Sequence, residues 1–174
     1  MEKQIFLQRL ERERDVFERL LNQFGCARQL TMTGVAGRLT IKDLLGDILA
    51  REQFLADRLG EILQGESYAP CMTHSALERF EHTFGYPDYE SPLWNKNALS
   101  EAAMERAKNI ALDEVVSQEL SAYRGVFEAL EKLTRAQYLD HDIFHRAAEH
   151  TYRPYRRLSA QMRVWRDSIS SENQ

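Results

Sequence analysis

Residues 34–64 read GVAGRLTIKDLLGDILAREQFLADRLGEILQ, and the fold class follows from how this stretch is parsed. A loop bracketed by Gly34 and Gly37 leads into one long amphipathic helix. Thr40 suits its N-cap: the hydroxyl can accept from the first free backbone N–H groups, and Asp43 adds negative charge to the first turn. Ile41, Leu44, Leu45, Ile48, Leu49, Leu55, Leu59, Ile62 and Leu63 recur at helical spacing as one apolar stripe. Lys42, Asp43, Arg51, Glu52, Asp57, Arg58 and Glu61 fall to its flanks and outer side. A helix of about 24 residues is roughly 36 Å long. Striped in this way it is not stable alone, so it requires partner helices of similar length.

Outward from that helix, the same periodicity supplies the partners. Toward the N-terminus, residues 2–24 place Phe6, Leu10, Phe17, Leu20, Leu21 and Phe24 on one face, with Arg9, Glu11, Arg12, Glu13 and Arg14 continuing around it. Gly25 is suited to stop this helix, because glycine takes the left-handed conformation at least cost. In the other direction, Pro70, Gly85, Pro87 and Pro92 punctuate residues 65–99 and exclude a long regular element. A short helix from about Ser75 to Phe84 fits inside, since Leu77, Phe80 and Phe84 share a face. Ser100 caps a segment leading to a third long helix, Leu112 to Leu133, striped by Val115, Val116, Leu120, Tyr123, Phe127, Leu130 and Leu133. Thr134 opens a short turn. A last helix begins between Ile143 and Ala148 and runs to about Ser168, with Phe144, Ala148, Thr151, Tyr155, Leu158, Met162 and Trp165 inward. Pro154 inside it predicts a kink near residues 150–154 that frees the His150 carbonyl. Residues 170–174 read as a frayed polar tail. The sum is an all-α single domain over residues 1–174: a four-helix bundle with a long irregular insertion between its second and third long helices.

Composition narrows the function classes. The chain has 174 residues, 43% hydrophobic and 29% charged, with a net charge of −4; its pI is near 5.8. No broad basic surface is expected, which argues against a nucleic-acid partner. No apolar run approaches a membrane span, and the charged N-terminus is unlike a secretory signal, so a cytoplasmic location is expected. Cys26 and Cys71 lack Cys-x-x-Cys spacing and read as lone thiols rather than a disulfide.

Two segments carry a family resemblance. Gly34-Val35 followed by Leu39-Thr40-Ile41-Lys42-Asp43, Gly46-Asp47-Ile48 and Arg51-Glu52 is similar to the start of the second helix in the DinB/YfiT-like superfamily, ClbS/DfsB-like branch. Those proteins read Trp-Ser-Val-Lys-Asp, then Ala-His-Leu, then Trp-Glu. In the last helix the relatives carry Thr-Tyr-x-His-Tyr-x-x-x-His, where this chain has Thr151-Tyr152-Arg153-Pro154-Tyr155-Arg156-Arg157-Leu158. Trp94-Asn95 stands where the relatives have a Trp-Asn pair near the end of a comparable insertion. The resemblance implies a DinB-like bundle, pairing as a homodimer through helix faces, and hydrolytic protection against a reactive small molecule.

It also implies a three-histidine metal site, and here the chain departs from the pattern. Asp47, Pro154 and Leu158 occupy the three positions. Proline and leucine have no donor atom, and one carboxylate cannot hold a transition metal tightly. The expectation is therefore no metal and no cofactor, with a small molecule bound instead. Candidate ligand-binding residues are Asp47, Glu52, Trp94, His150 and Tyr155; Asp47, His150 and Tyr155 are also the candidates for catalysis. Asp47 on an apolar face would hold its proton tightly if buried alone, whereas pairing with Arg51 one turn on would make it structural. Trp94 either plugs the bundle end or walls a pocket. His141 and His145 have i, i+4 spacing but no convincing third ligand, and read as surface residues. His74 and His82 lie in the insertion without a partner motif. The arginines of the last helix, Arg146 to Arg166, are expected to pair with acidic neighbours. No His-Glu-x-x-His, Gly-x-Ser-x-Gly or phosphate-binding glycine loop occurs.

Overall fold

Thr40 does start the central helix. Its hydroxyl accepts from the Asp43 N–H at 3.0 Å, and the Asp43 carboxylate accepts from the Thr40 N–H at 2.9 Å, a reciprocal capping box. The structure is a computed structural model that describes residues 1–24 and 27–172. Among these residues there is no β-strand, and the chain is all-helical. Its elements are α1 (Lys3–Gln23), α2 (Ala27–Thr31), α3 (Ile41–Leu63), α4 (His74–Phe84), α5 (Glu101–Lys108), α6 (Leu112–Lys132), α7 (Arg135–Asp140), α8 (Ile143–His150) and α9 (Tyr152–Glu172). No helix is long and apolar enough to cross a membrane. Gly25 and Cys26, read above as helix stop and lone thiol, lie outside the described residues; Cys71 is a free thiol.

The long helices α1, α3, α6 and α9 share one core containing Phe6, Leu10, Phe17, Leu45, Ile48, Leu55, Val126, Leu130, Leu158 and Met162. Here α3 lies at the centre, packed against α6 and α5 and touching α2, α8 and α9. It therefore has no outer side over most of its length. Arg51, Glu52 and Arg58, expected on its flanks, are buried. Only toward its end does it reach solvent, where Leu63, expected in the stripe, is exposed. Val116 of α6 is exposed as well. Gly46 lets α5 approach: a Cβ there would lie 2.6 Å from the Ala107 Cβ and 3.2 Å from the Ala103 carbonyl oxygen. The connection before α3 turns at Gly34 and Gly37, both at positive φ.

The last helix is corrected to two. Thr151, at φ −125° and ψ −96°, breaks the chain between α8 and α9. Pro154 thus sits in the first turn of a new helix, where its missing N–H costs no hydrogen bond, rather than kinking a continuous one. The Thr151 hydroxyl donates back to the Ala147 carbonyl and steadies the break. Residues 170–172, expected to fray, continue α9; 173 and 174 lie outside the described residues.

Residues 65–99 fold tightly despite their irregularity. A second apolar cluster joins Ala50 and Phe54 of α3 to Tyr86, Tyr89 and Ala103, with Tyr68, Phe80 and Trp94 packed on it. The Arg58 guanidinium stands 4.6 Å from the Tyr68 ring centroid and 5.3–5.5 Å from those of Phe54, Phe80 and Phe84, so the insertion closes around a cation held by aromatic faces. Asp88, fully buried, accepts from the Tyr68 hydroxyl and the Cys71 and Glu90 N–H groups.

Candidate functional site

The five candidate residues fall into two neighbourhoods. Glu52 and Tyr155 meet at the centre of the four long helices, where Tyr155 donates its hydroxyl to Glu52 Oε1. Two residues not singled out from the sequence complete this cluster. Arg14 of α1 pairs bidentately with Glu119 of α6, its Nη2 lying 2.6 Å from Oε2, while its Nη1 reaches Glu52 Oε1 at 3.3 Å and its Nε reaches Glu18 at 2.6 Å. Arg14 and Glu119 are only 3% and 4% exposed, and Glu52 is 0% exposed. Glu52 Oε2 has no hydrogen-bond partner. Burial first, and then the charge of Glu119, push the Glu52 carboxyl well above the usual carboxylate range, outweighing Arg14 and Tyr155. A cavity of about 230 Å³ walled by Leu21, Leu30, Leu45, Val116 and Leu120 reaches Arg14 and Glu119 from outside. Glu52 and Tyr155 do not line it.

Asp47 belongs to the other neighbourhood, and it is not alone. Its Oδ2 accepts from Arg51 Nε at 2.9 Å; its Oδ1 accepts from the Ser100 N–H at 2.8 Å and faces the Tyr89 hydroxyl at 3.4 Å. Arg51 in turn donates to the Ala98 carbonyl at 3.0 Å and lies 4.5 Å from the Tyr89 ring centroid. The pair ties the end of the insertion to α3. Beside it, Asp47, Pro154 and Leu158 line one cavity of about 170 Å³ between α3 and α9, with Leu44, Ile48, Asn97, Leu99, Arg157 and Gln161.

His150 and Trp94 line neither cavity. His150 is buried against Phe54 and Tyr89, with its Nε2 3.4 Å from Glu90 Oε1 and its Nδ1 unpartnered. Burial lowers its basicity, partly offset by Glu90. Burial would raise the Glu90 carboxyl, but hydrogen bonds from His150 and Arg146 outweigh it and hold Glu90 at about 2. Trp94 packs edge-on against Tyr89, with ring centroids 5.6 Å apart. His141 is exposed and His145 half-exposed beside Glu149. Arg146, Arg153 and Arg156 pair with Glu90, Glu149 and Glu13, as expected of the basic side of the last helices. Arg157 does not.

A DinB-type metal fails the test of these donors. Of the three positions that the resemblance assigns to ligands, Pro154 and Leu158 have none to offer, and both Asp47 oxygens already accept from Arg51 and Ser100. Among the described residues no group of three His, Cys, Asp or Glu is arranged to hold a metal ion. Compared with protein-family models, curated proteins and solved structures, the chain matches none.

Proposed function

We propose that this protein is a small-molecule-binding protein on a DinB-like, ClbS/DfsB-related four-helix bundle, and that it binds its ligand without a metal in the cavity between α3 and α9. One observation carries the reading: Asp47, Pro154 and Leu158, three positions matched to a family ligand set by sequence register alone, line a single cavity. Leu44, Ile48, Leu99 and Leu158 give it apolar walls, and Asn97, Arg157 and Gln161 give it polar groups, the usual make-up of a ligand pocket. At about 170 Å³ it is smaller than drug-sized sites of roughly 300–1,000 Å³, so its ligand is small.

Binding is preferred to hydrolysis because the group best suited to hold and release a proton, Glu52, is sealed behind Arg14 and Glu119 rather than facing a cavity. The test is a thermal-shift screen of small metabolites against the wild type and Leu99→Trp, which fills the cavity from its exposed rim. Hits are expected on the wild type and lost in the variant. Hits that survive Leu99→Trp would overturn the assigned cavity. Stoichiometric Zn²⁺ binding by calorimetry, abolished by Asp47→Ala, would overturn the metal-free reading.

A further inference from the structure

We infer that the cavity between α3 and α9 selects a monocarboxylate, the Arg157 guanidinium receiving the acid group while Leu44, Ile48, Leu99 and Leu158 cover an apolar body. The inference rests on the small-molecule reading above and adds the ligand's chemistry to it.

Arg153 and Arg156, neighbours of Arg157 on α9, each have a carboxylate, but Arg157 makes no hydrogen bond or ion pair among the described residues. The one acid lining the cavity is Asp47, and its oxygens are taken by Arg51, Ser100 and Tyr89. Formally, Arg157 and Arg51 outweigh Asp47 by one positive charge. Arg157 is exposed at the rim of the cavity, so its guanidinium is open to an incoming group; desolvation by its neighbours and the charge of Arg51 lower its basicity, and Asp47 partly restores it. An incoming anion would give it the partner that no acid of the cavity supplies.

The anion's type follows from the donors. A guanidinium offers two parallel N–H groups that match a carboxylate. Asn97 and Gln161 add neutral amides at the same cavity. A phosphate dianion would bring a second negative charge toward Asp47 with no second free cation lining the cavity. The four aliphatic walls have no use for a wholly polar ligand, whereas burying methylenes against them is favourable.

Calorimetry with hexanoate and benzoate, their matched amides, and inorganic phosphate tests this. The carboxylates are expected to bind about tenfold or more tightly than the amides, the scale of a charge-assisted hydrogen bond. Arg157→Gln should bring carboxylate binding down to the level of the amides, and Arg157→Lys should restore part of the advantage. Gln161→Glu, at an exposed position, should weaken carboxylate binding by like-charge repulsion. Equal binding of carboxylates and amides, both lost in Leu99→Trp, would overturn the carboxylate preference and leave the small-molecule reading standing. Failure of all the probes to bind, or binding of phosphate more tightly than the carboxylates, would overturn the inference as well.

Discussion

Glu52 shows how far one residue's chemistry depends on its surroundings. A glutamate beside an arginine is ordinarily an acid that has lost its proton. Here Arg14 is already bound bidentately by Glu119, and the second oxygen of Glu52 meets no donor. Burial and the Glu119 charge therefore dominate, and the folded protein binds the Glu52 proton more tightly than the unfolded chain does. Such a group contributes most to stability below the ordinary carboxylate range, and that contribution is lost as pH rises through its folded value. Glu52→Gln copies the protonated form and cannot ionise. Urea unfolding from pH 5 to pH 8 should show the wild type losing stability relative to Glu52→Gln, by up to about 1.4 kcal/mol per pH unit for the one proton involved. Parallel pH profiles would mean that Glu52 is ionised in the folded protein.

Between helices, the closest approach is set by a missing side chain. At Gly46, α5 fills the space that a Cβ would occupy. Gly46→Ala would gain up to about 1 kcal/mol of helix propensity. It must also push Ala107 and the Ala103 carbonyl aside, an overpacking cost of roughly 1–3 kcal/mol. A net fall in melting temperature is expected, since the obstacle includes backbone and not just a flexible side-chain tip. A rise would show that α5 slides freely along α3. Legibility divides at this same scale. The α3 stripe, the Thr40 cap, the Ser100 cap and the short helix around Leu77 and Phe80 were readable because each is encoded within a few residues. The break at Thr151 was not, because Pro154 is compatible with either a kinked helix or a new first turn. Nor was the burial of Arg51 and Arg58 readable, because it depends on α3 being enclosed by neighbours far away in the chain.

For the molecule as a whole, the central cluster joins α1, α3, α6 and α9 by polar contacts through Arg14, Glu52, Glu119 and Tyr155. Its signal was present in the sequence. Arg14, expected among the charges away from the apolar face of α1, is buried instead. It sits between Leu10 and Phe17 at inward spacing, and Glu119 follows Val115 by one turn, so each is a charge on an apolar stripe; what was missing was the knowledge that they face each other. Buried pairs of this kind stabilise little over an apolar replacement, but removing Glu119 strips Arg14 of its bidentate partner and leaves it with Glu18 and the longer contact to Glu52. Glu119→Ala should therefore cost about 3–5 kcal/mol in cooperative unfolding, a large fraction of the roughly 5–15 kcal/mol typical of a domain. Replacing both partners, Arg14→Met with Glu119→Leu, should recover most of that loss. The two results together separate pairing from packing. A cost below about 1 kcal/mol for Glu119→Ala would mean that Glu18, Glu52 or water entering the 230 Å³ cavity compensates Arg14 in place of the lost carboxylate. A double variant as unstable as the single one would mean that the cluster fixes how the four helices meet, and that apolar side chains of similar size do not reproduce that arrangement.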